Sequence, residues 1–154
     1  MCEKMKKLVD ELVHRDSTFM LSFAFTDMFA FFIMFLVYEV PVSVVIGLCT
    51  CAGGAIAGII MTKASAVPGV EGYEALAGKL SYFPVDKQSI RTAQYRLLFK
   101  ITGIQLLVVL FPLVFMSFRF KFPNALAAVV STAASMLLVG LFCIEINLRT
   151  FHRK

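Results

Sequence analysis

The sequence predicts an all-α integral membrane protein: four transmembrane helices in two hairpins, an amphipathic N-terminal interfacial helix, and a cytoplasmic loop with short helices. Composition is the first observation behind this prediction. Of 154 residues, 59% are apolar and 16% are charged, and the mean hydropathy is +0.82, whereas soluble domains are about 45–50% apolar and about 25% charged. These values exclude a disordered chain and argue against a soluble enzyme, and four scattered cysteines argue against a disulfide-rich secreted module.

Four apolar runs are the second observation. They cover about residues 18–38, 42–61, 101–118 and 125–144, and each approaches the roughly 20 residues that a helix needs to cross the hydrocarbon core. Only three residues separate the first two runs, and only six separate the last two, so each pair predicts an antiparallel hairpin. We therefore expect a cytoplasmic amphipathic helix over 1–17 and a single transmembrane domain over 18–154.

The positions of lysine and arginine are the third observation. The N-terminal segment, the central loop over 62–100 and the C-terminal tail together contain 13 basic residues, and the opposite side has only Arg119 and Lys121. Because basic residues favour the cytoplasmic side, both termini and the loop should be cytoplasmic in an integral cell-membrane protein. The net charge of +5 is explained by orientation and by contact with the lipid bilayer, so we expect no nucleic-acid partner.

The N-terminal segment has apolar residues on one helical stripe and charges on the rest of its surface. The stripe consists of Met5, Leu8, Val9, Leu12 and Val13. This spacing is typical of an amphipathic helix, which would dock on a cytoplasmic partner or on the bilayer surface. The alternative is a solvated extension that only sets the topology.

The central loop has one strong helix signal near its end. Pro84 disfavours helix at Phe83, and Asp86 is a good N-cap for a helix that begins at Lys87. No residue breaks the helix from there to Pro112. The pattern predicts a helix that runs from the cytoplasm into the third span, preceded by a short helix near residues 73–80.

The segment that leads into this helix, YFPVDKQSIRTAQYRLL over residues 82–98, resembles a motif of the membrane subunits of ABC-2-type exporters. Those proteins carry a Leu-Pro-Val-Ser-Arg-like segment, followed by Ile-Val and a basic-Tyr-Leu element, in the cytoplasmic loop between spans two and three. The corresponding positions here are Pro84, Val85, Lys87, Ile90, Tyr95 and Leu97. Phe83, Asp86 and Arg91 depart from the family pattern, and the family has six spans where this chain has four.

The resemblance implies a function for the loop. In that family the loop lies where the separate ATPase subunit engages the membrane subunit, so the chain would be a shortened permease that couples to an ATPase and exports an unidentified cargo. The implied coupling residues are Phe83, Pro84, Val85, Asp86, Lys87 and Arg91. The implied partners are the ATPase subunit and either a second membrane subunit or a second copy in a homodimer.

The residue inventory gives little support for catalysis by this chain itself. The nearest approach to a phosphate-binding loop, between Gly72 and Leu80, has the wrong glycine spacing and lacks the metal-binding hydroxyl. Cys49 and Cys51 would point to opposite sides of a helix, and no histidine lies within a predicted span. We therefore expect no catalytic site, no metal site and no cofactor, with any ATP hydrolysis done by a partner chain.

One carboxylate and one amide side chain lie inside predicted spans, Asp27 in the first and Gln105 in the third. A carboxylate in hydrocarbon is costly and should face the bundle interior or water. Asp27 is therefore either part of a polar pathway or subunit contact, or a structural residue that Gln105, a hydroxyl or water satisfies.

Small residues mark helix-packing positions. The second span has the Gly54–Gly58 GxxxG pair, and the fourth repeats small residues at Ala127, Ser131 and Ser135. Such stripes let membrane helices approach closely, either within one chain or at a seam between chains. Besides the exporter subunit, two functions remain open: a non-transporting accessory or scaffold subunit of a multi-subunit complex, and a small lipid-modifying enzyme.

Overall fold

The computed structural model describes residues 3–15, 41–68, 70, 74–115 and 122–151. This part of the chain is mostly helical and contains no strand, only an isolated antiparallel bridge between Ala66 and Ala75. The helices are α1 (Glu3–His14), α2 (Val42–Ser65), α3 (Leu76–Leu80), α4 (Lys87–Phe115) and α5 (Phe122–Arg149).

Three of these helices are long and apolar enough to cross a membrane. The qualifying stretches are Val42–Ser65, Lys87–Phe111 and Asn124–Arg149. They coincide with the second, third and fourth apolar runs, so the prediction of transmembrane helices holds for these three. The first run, 18–38, lies outside the described residues, so the four-span arrangement stays a prediction.

The helices extend beyond the predicted spans. α2 continues to Ser65, past residue 61, and α5 runs from Phe122 to Arg149, past both ends of the run 125–144. α4 begins at Lys87, as predicted, and its described part reaches Phe115. The apolar runs mark only the part of each helix that suits hydrocarbon. A helix satisfies its own backbone hydrogen bonds and needs no apolar surroundings to continue, so the predicted loop over 62–100 shortens to a connection between Ser65 and Lys87.

α2 and α5 run parallel to each other, and α4 runs antiparallel to both. Near the start of α2, Val45 clusters with Val109 of α4 and Ala128 of α5. At the other end, the Gln94 amide of α4 donates a hydrogen bond to the Ser65 hydroxyl of α2 at 3.1 Å. This is the alternation of directions expected of successive membrane crossings.

The core is concentrated at one end of the bundle. We call this end, where α1, α3 and the C-terminal part of α5 meet, the loop end, and the opposite end, where α2 and α5 begin, the far end. The loop-end cluster contains 19 buried apolar residues, drawn from all five helices and the turn before α4. The far-end cluster contains four, Val45, Cys49, Val109 and Ala128.

α1 packs on its own bundle. Val9 and Val13 are buried in the loop-end cluster, and Met5 and Leu12 are partly buried against it. Only Leu8 of the predicted stripe is exposed, at 48%. The Arg15 guanidinium, just past α1, donates from Nη2 to the carbonyls of Lys63 and Ala66 at 3.1 Å each, so α1 is fastened to the end of α2.

Candidate functional site

The segment singled out by sequence forms a compact turn between α3 and α4 at the loop end. The Ser81 hydroxyl donates to the Gly78 carbonyl at 2.7 Å, and the Phe83 N–H donates to the Leu80 carbonyl at 3.1 Å. The Val85 N–H donates to the Phe83 carbonyl at 2.7 Å, which closes a three-residue turn around Pro84. The backbone of this segment is therefore held by local hydrogen bonds.

The turn is held against the bundle by residues just before and just after the start of α4. α4 begins at Lys87, as predicted, and the Asp86 carbonyl accepts hydrogen bonds from the N–H groups of Ser89 at 2.9 Å and Ile90 at 3.4 Å. Val85 and Ile90 are both buried in the loop-end cluster. They occupy the two positions of a hydrophobic staple, which fixes the angle at which a chain joins a helix.

Several residues of the turn and of the helix start face outward. Tyr82 is 70% exposed and Phe83 is 58% exposed, and Pro84, Asp86 and Lys87 are exposed as well. Two adjacent exposed aromatic side chains beside a rigid turn are unusual on a surface that only meets water, because burying an aromatic ring is strongly favourable.

A groove opens beside these side chains. This loop-end groove has a volume of about 880 Å³ and is lined by Phe83, Asp86, Lys87, Arg91, Tyr95 and Phe151, among others. A smaller groove of about 380 Å³ lies on the other side, between Asp10 of α1 and Arg96 of α4. Asp86, Gln88 and Thr92 line both, so the first two turns of α4 form a ridge between two grooves.

Arg91, one of the predicted coupling residues, is paired with an acidic residue from a distant part of the chain. Its Nη2 forms an ion pair with Oε1 of Glu145 on α5. The two residues are 54 positions apart, so spacing alone could not pair them. The only sequence feature that pointed to this pair was the position of Glu145, a single acidic residue at the end of an apolar run. Arg91 therefore joins α4 to α5, while Lys87 presents its charge outward.

Two further ion pairs at the loop end join α4 to α1 and α3 to the chain just before it. Arg96 of α4 lies 3.9 Å from the Asp10 carboxylate of α1, and Lys79 of α3 lies 2.8 Å from Glu74. The hydrogen bond from Lys79 to Glu74 raises the pKa of the lysine above its ordinary value. Both pairs are solvent-exposed, where such contacts contribute little stability.

Two buried amides lie in the loop-end region. Gln94 donates to Ser65, but within the described chain its carbonyl oxygen has no hydrogen-bond partner. Asn147 of α5 is fully buried, and neither atom of its amide has a partner there. An unsatisfied buried polar group lowers the free energy of unfolding by about 1–3 kcal/mol. The loop-end core therefore contains polar side chains that apolar packing alone does not need.

The predicted intramembrane pair is only half described. Gln105 is buried on α4. Asp27 lies outside the described residues, so its relation to Gln105 stays a prediction.

The predicted packing residues are partly brought together. Ser135 lies against α2, but the closest glycine there is Gly53, where an added Cβ would stand 2.6 Å from Ser135 Oγ and 3.0 Å from the Thr132 carbonyl. Gly54 and Gly58 face Val139 at ordinary contact distances. Ala127 and Ser131 are half-buried. Gly54 and Gly58 therefore pack on α5, and Gly53, which the sequence pattern did not single out, makes the closest approach.

Among the described residues, no three histidine, cysteine, aspartate or glutamate side chains come together in a group able to hold a metal ion. Comparison with protein-family models, with curated proteins and with solved structures finds no match to this chain.

Proposed function

We propose that this chain is a membrane subunit of an ABC-2-type export complex, and that it couples through its loop end to a separate ATPase chain. The proposal rests on the resemblance of residues 82–98 to the loop motif of that family and on the way those residues are built into the fold. It includes a first transmembrane helix over 18–38, cytoplasmic termini and a second membrane chain, which is either another subunit or a second copy.

The observation that carries the proposal is the way the exposed segment is attached to the core of the bundle. Phe83, Asp86 and Lys87 are exposed, whereas Val85 and Ile90 fix the same segment in the core. The segment leads directly into α4, one continuous helix of 29 residues. A movement that a partner imposes at Phe83 would therefore be transmitted along α4 into the apolar part of the bundle.

Charge supports a cytoplasmic position of the loop end. The described basic residues there include Lys63, Lys79, Lys87, Arg91, Arg96 and Arg149. Basic residues next to membrane spans favour the cytoplasmic side, which is the side on which ATP is available to a soluble ATPase.

The experiment is to purify the tagged chain in mild detergent from its native membrane and to identify co-purifying chains by mass spectrometry. We expect a soluble ATPase in near-stoichiometric amount with the unmodified chain. Phe83→Ala combined with Lys87→Glu should reduce that amount at least several-fold, because both side chains are exposed on the proposed coupling surface.

The matched control is Lys7→Glu, which reverses an exposed charge on α1 at the same end of the molecule. It should leave the ATPase yield unchanged. Membrane partners without any ATPase would contradict the exporter proposal and favour the accessory or scaffold function. An ATPase yield that falls equally in the control would contradict the assignment of the surface.

A further inference from the structure

α2 has a second packing seam on the side that faces away from α5. Its members recur at spacings of three or four residues, and all are exposed: Val44, Leu48, Cys51, Ala55, Ile59 and Thr62. This spacing is the seam pattern of two helices that pack nearly parallel or antiparallel. No described residue covers it, and an added Cβ at Gly47, beside the seam, would meet nothing within 4 Å.

The ends of the intervening chain identify what can cover the seam. Arg15 is hydrogen-bonded to the carbonyls of Lys63 and Ala66, at the loop end of α2. Pro41 lies at the far end, where its carbonyl accepts from the N–H groups of Val44 and Val45. Residues 16–40 must therefore travel the whole length of α2.

The length of that connection fits one antiparallel helix. α2 has 24 residues and is about 36 Å long at about 1.5 Å per residue. Residues 16–40 would make a helix of about 37 Å by the same rise. In hydrocarbon the backbone must satisfy its own hydrogen bonds, which leaves a helix as the available form for a single crossing segment.

The side-chain sizes on the two sides are complementary. A helix over 18–38 would have Ser22, Phe25, Phe29, Phe32 and Leu36 on one stripe, at alternating spacings of three and four. Turning at residues 39–40 brings residue 29 to about the depth of Cys51 and residue 25 to about the depth of Ala55. In an antiparallel pairing the large rings would lie opposite the smallest residues of the α2 seam.

We propose that residues 18–38 dock on this α2 seam, through the stripe that contains Phe25, Phe29 and Phe32, and so leave the outer faces of α4 and α5 open to lipid or to a second membrane chain. This inference rests on the membrane-crossing part of the proposed function and is independent of the ATPase.

Cysteine cross-linking tests the docking directly, because Cys51 is already in the seam. In the chain with Cys2, Cys49 and Cys143 replaced by Ala, we would introduce Phe29→Cys and oxidise the native membranes. We expect an intramolecular disulfide with Cys51 in several-fold higher yield than with Phe31→Cys, which is placed about 200° around the same helix.

Three results would overturn the docking. They are an equal or higher yield from Phe31→Cys, no cross-link from either variant, and a disulfide-linked band at twice the mass, which would assign the seam to a second copy. If Phe29→Cys does not accumulate, Ser22→Cys paired with Ile59→Cys decides the question near the loop end with no aromatic side chain removed.

Membrane crossing is scored separately with Glu39→Cys and an impermeant maleimide. Labelling from outside, without permeabilisation, supports the crossing. Outside labelling together with failed cross-links overturns the docking alone. Labelling only after permeabilisation contradicts the crossing, and with it both the docking and the proposed topology.

Discussion

At the scale of single residues, the bundle depends on a few positions where helices come close or where polar groups are buried. Gly53 lies against Thr132 and Ser135, and Asn147 is buried without a described partner. The sequence indicated a small-residue seam around Gly54 and Gly58 and gave no indication of the buried Asn147. The rotation of a helix about its axis is set by all its neighbours together, so a GxxxG pair at Gly54 does not fix which glycine makes the contact.

Gly53→Ala should destabilise the chain. The new methyl group would overlap Ser135 Oγ and press on the Thr132 backbone carbonyl, which cannot move as a side-chain tip can. Overpacking of this kind costs about 1–3 kcal/mol, measured as a lower melting temperature in detergent. Gly54→Ala is the matched control, with its Cβ 3.5 Å from Val139, and should be neutral or stabilising. The reverse order would show that the Gly54 face makes the close contact.

Asn147→Leu should stabilise the chain, because it removes a buried amide with no described hydrogen-bond partner. The gain should be about 1–3 kcal/mol, read as a higher melting temperature. Gln94→Leu is the comparison, since it removes the hydrogen bond to Ser65 and should give less benefit or a loss. A strong destabilisation by Asn147→Leu would show that its amide is satisfied by a group outside the described residues.

At the scale of secondary-structure elements, α1 and the start of α4 show how far local sequence can predict. The helix start at Lys87 followed from Asp86 and Pro84, because capping and proline sterics act within a few residues. The apolar stripe on α1 was also predicted from the sequence, but the surface that it packs against was not. The two expectations were a partner or bilayer surface and a solvated extension, whereas Val9 and Val13 pack into the bundle's own core.

α1 should therefore be released by a change at Val9 and not by one at Leu8. Val9 is 1% exposed, so Val9→Asn loses roughly 1.5–3 kcal/mol of apolar burial and adds a polar group to the core. Hydrogen exchange across α1 should accelerate markedly in this variant. Leu8→Asn, at an exposed position one residue away, should leave exchange unchanged. Faster exchange in the Leu8 variant instead would mean that α1 is held by its outer face.

At the scale of the whole molecule, composition and periodicity predicted three helices that the structure describes, because hydrocarbon thickness constrains span length strongly. The helices that contain the second and fourth runs continue past them, to Ser65 and to Arg149, whereas the start of α4 at Lys87 was predicted. Contacts that join distant residues, such as Arg91 with Glu145, depend on the arrangement of α4 against α5 and have no local signature. The same arrangement leaves Tyr82 and Phe83 exposed at the loop end, on the segment whose sequence suggested an ATPase contact.

The most direct test of the central claim is site-specific photo-cross-linking from position 83 in native membranes. A photoreactive phenylalanine analogue at Phe83 should capture a soluble chain that mass spectrometry identifies as an ATPase. The same analogue at Phe99, an exposed position further along α4, should not capture it. Capture of lipid alone, of another membrane chain alone, or of the same ATPase from both positions would contradict the assignment of the loop end as the coupling surface.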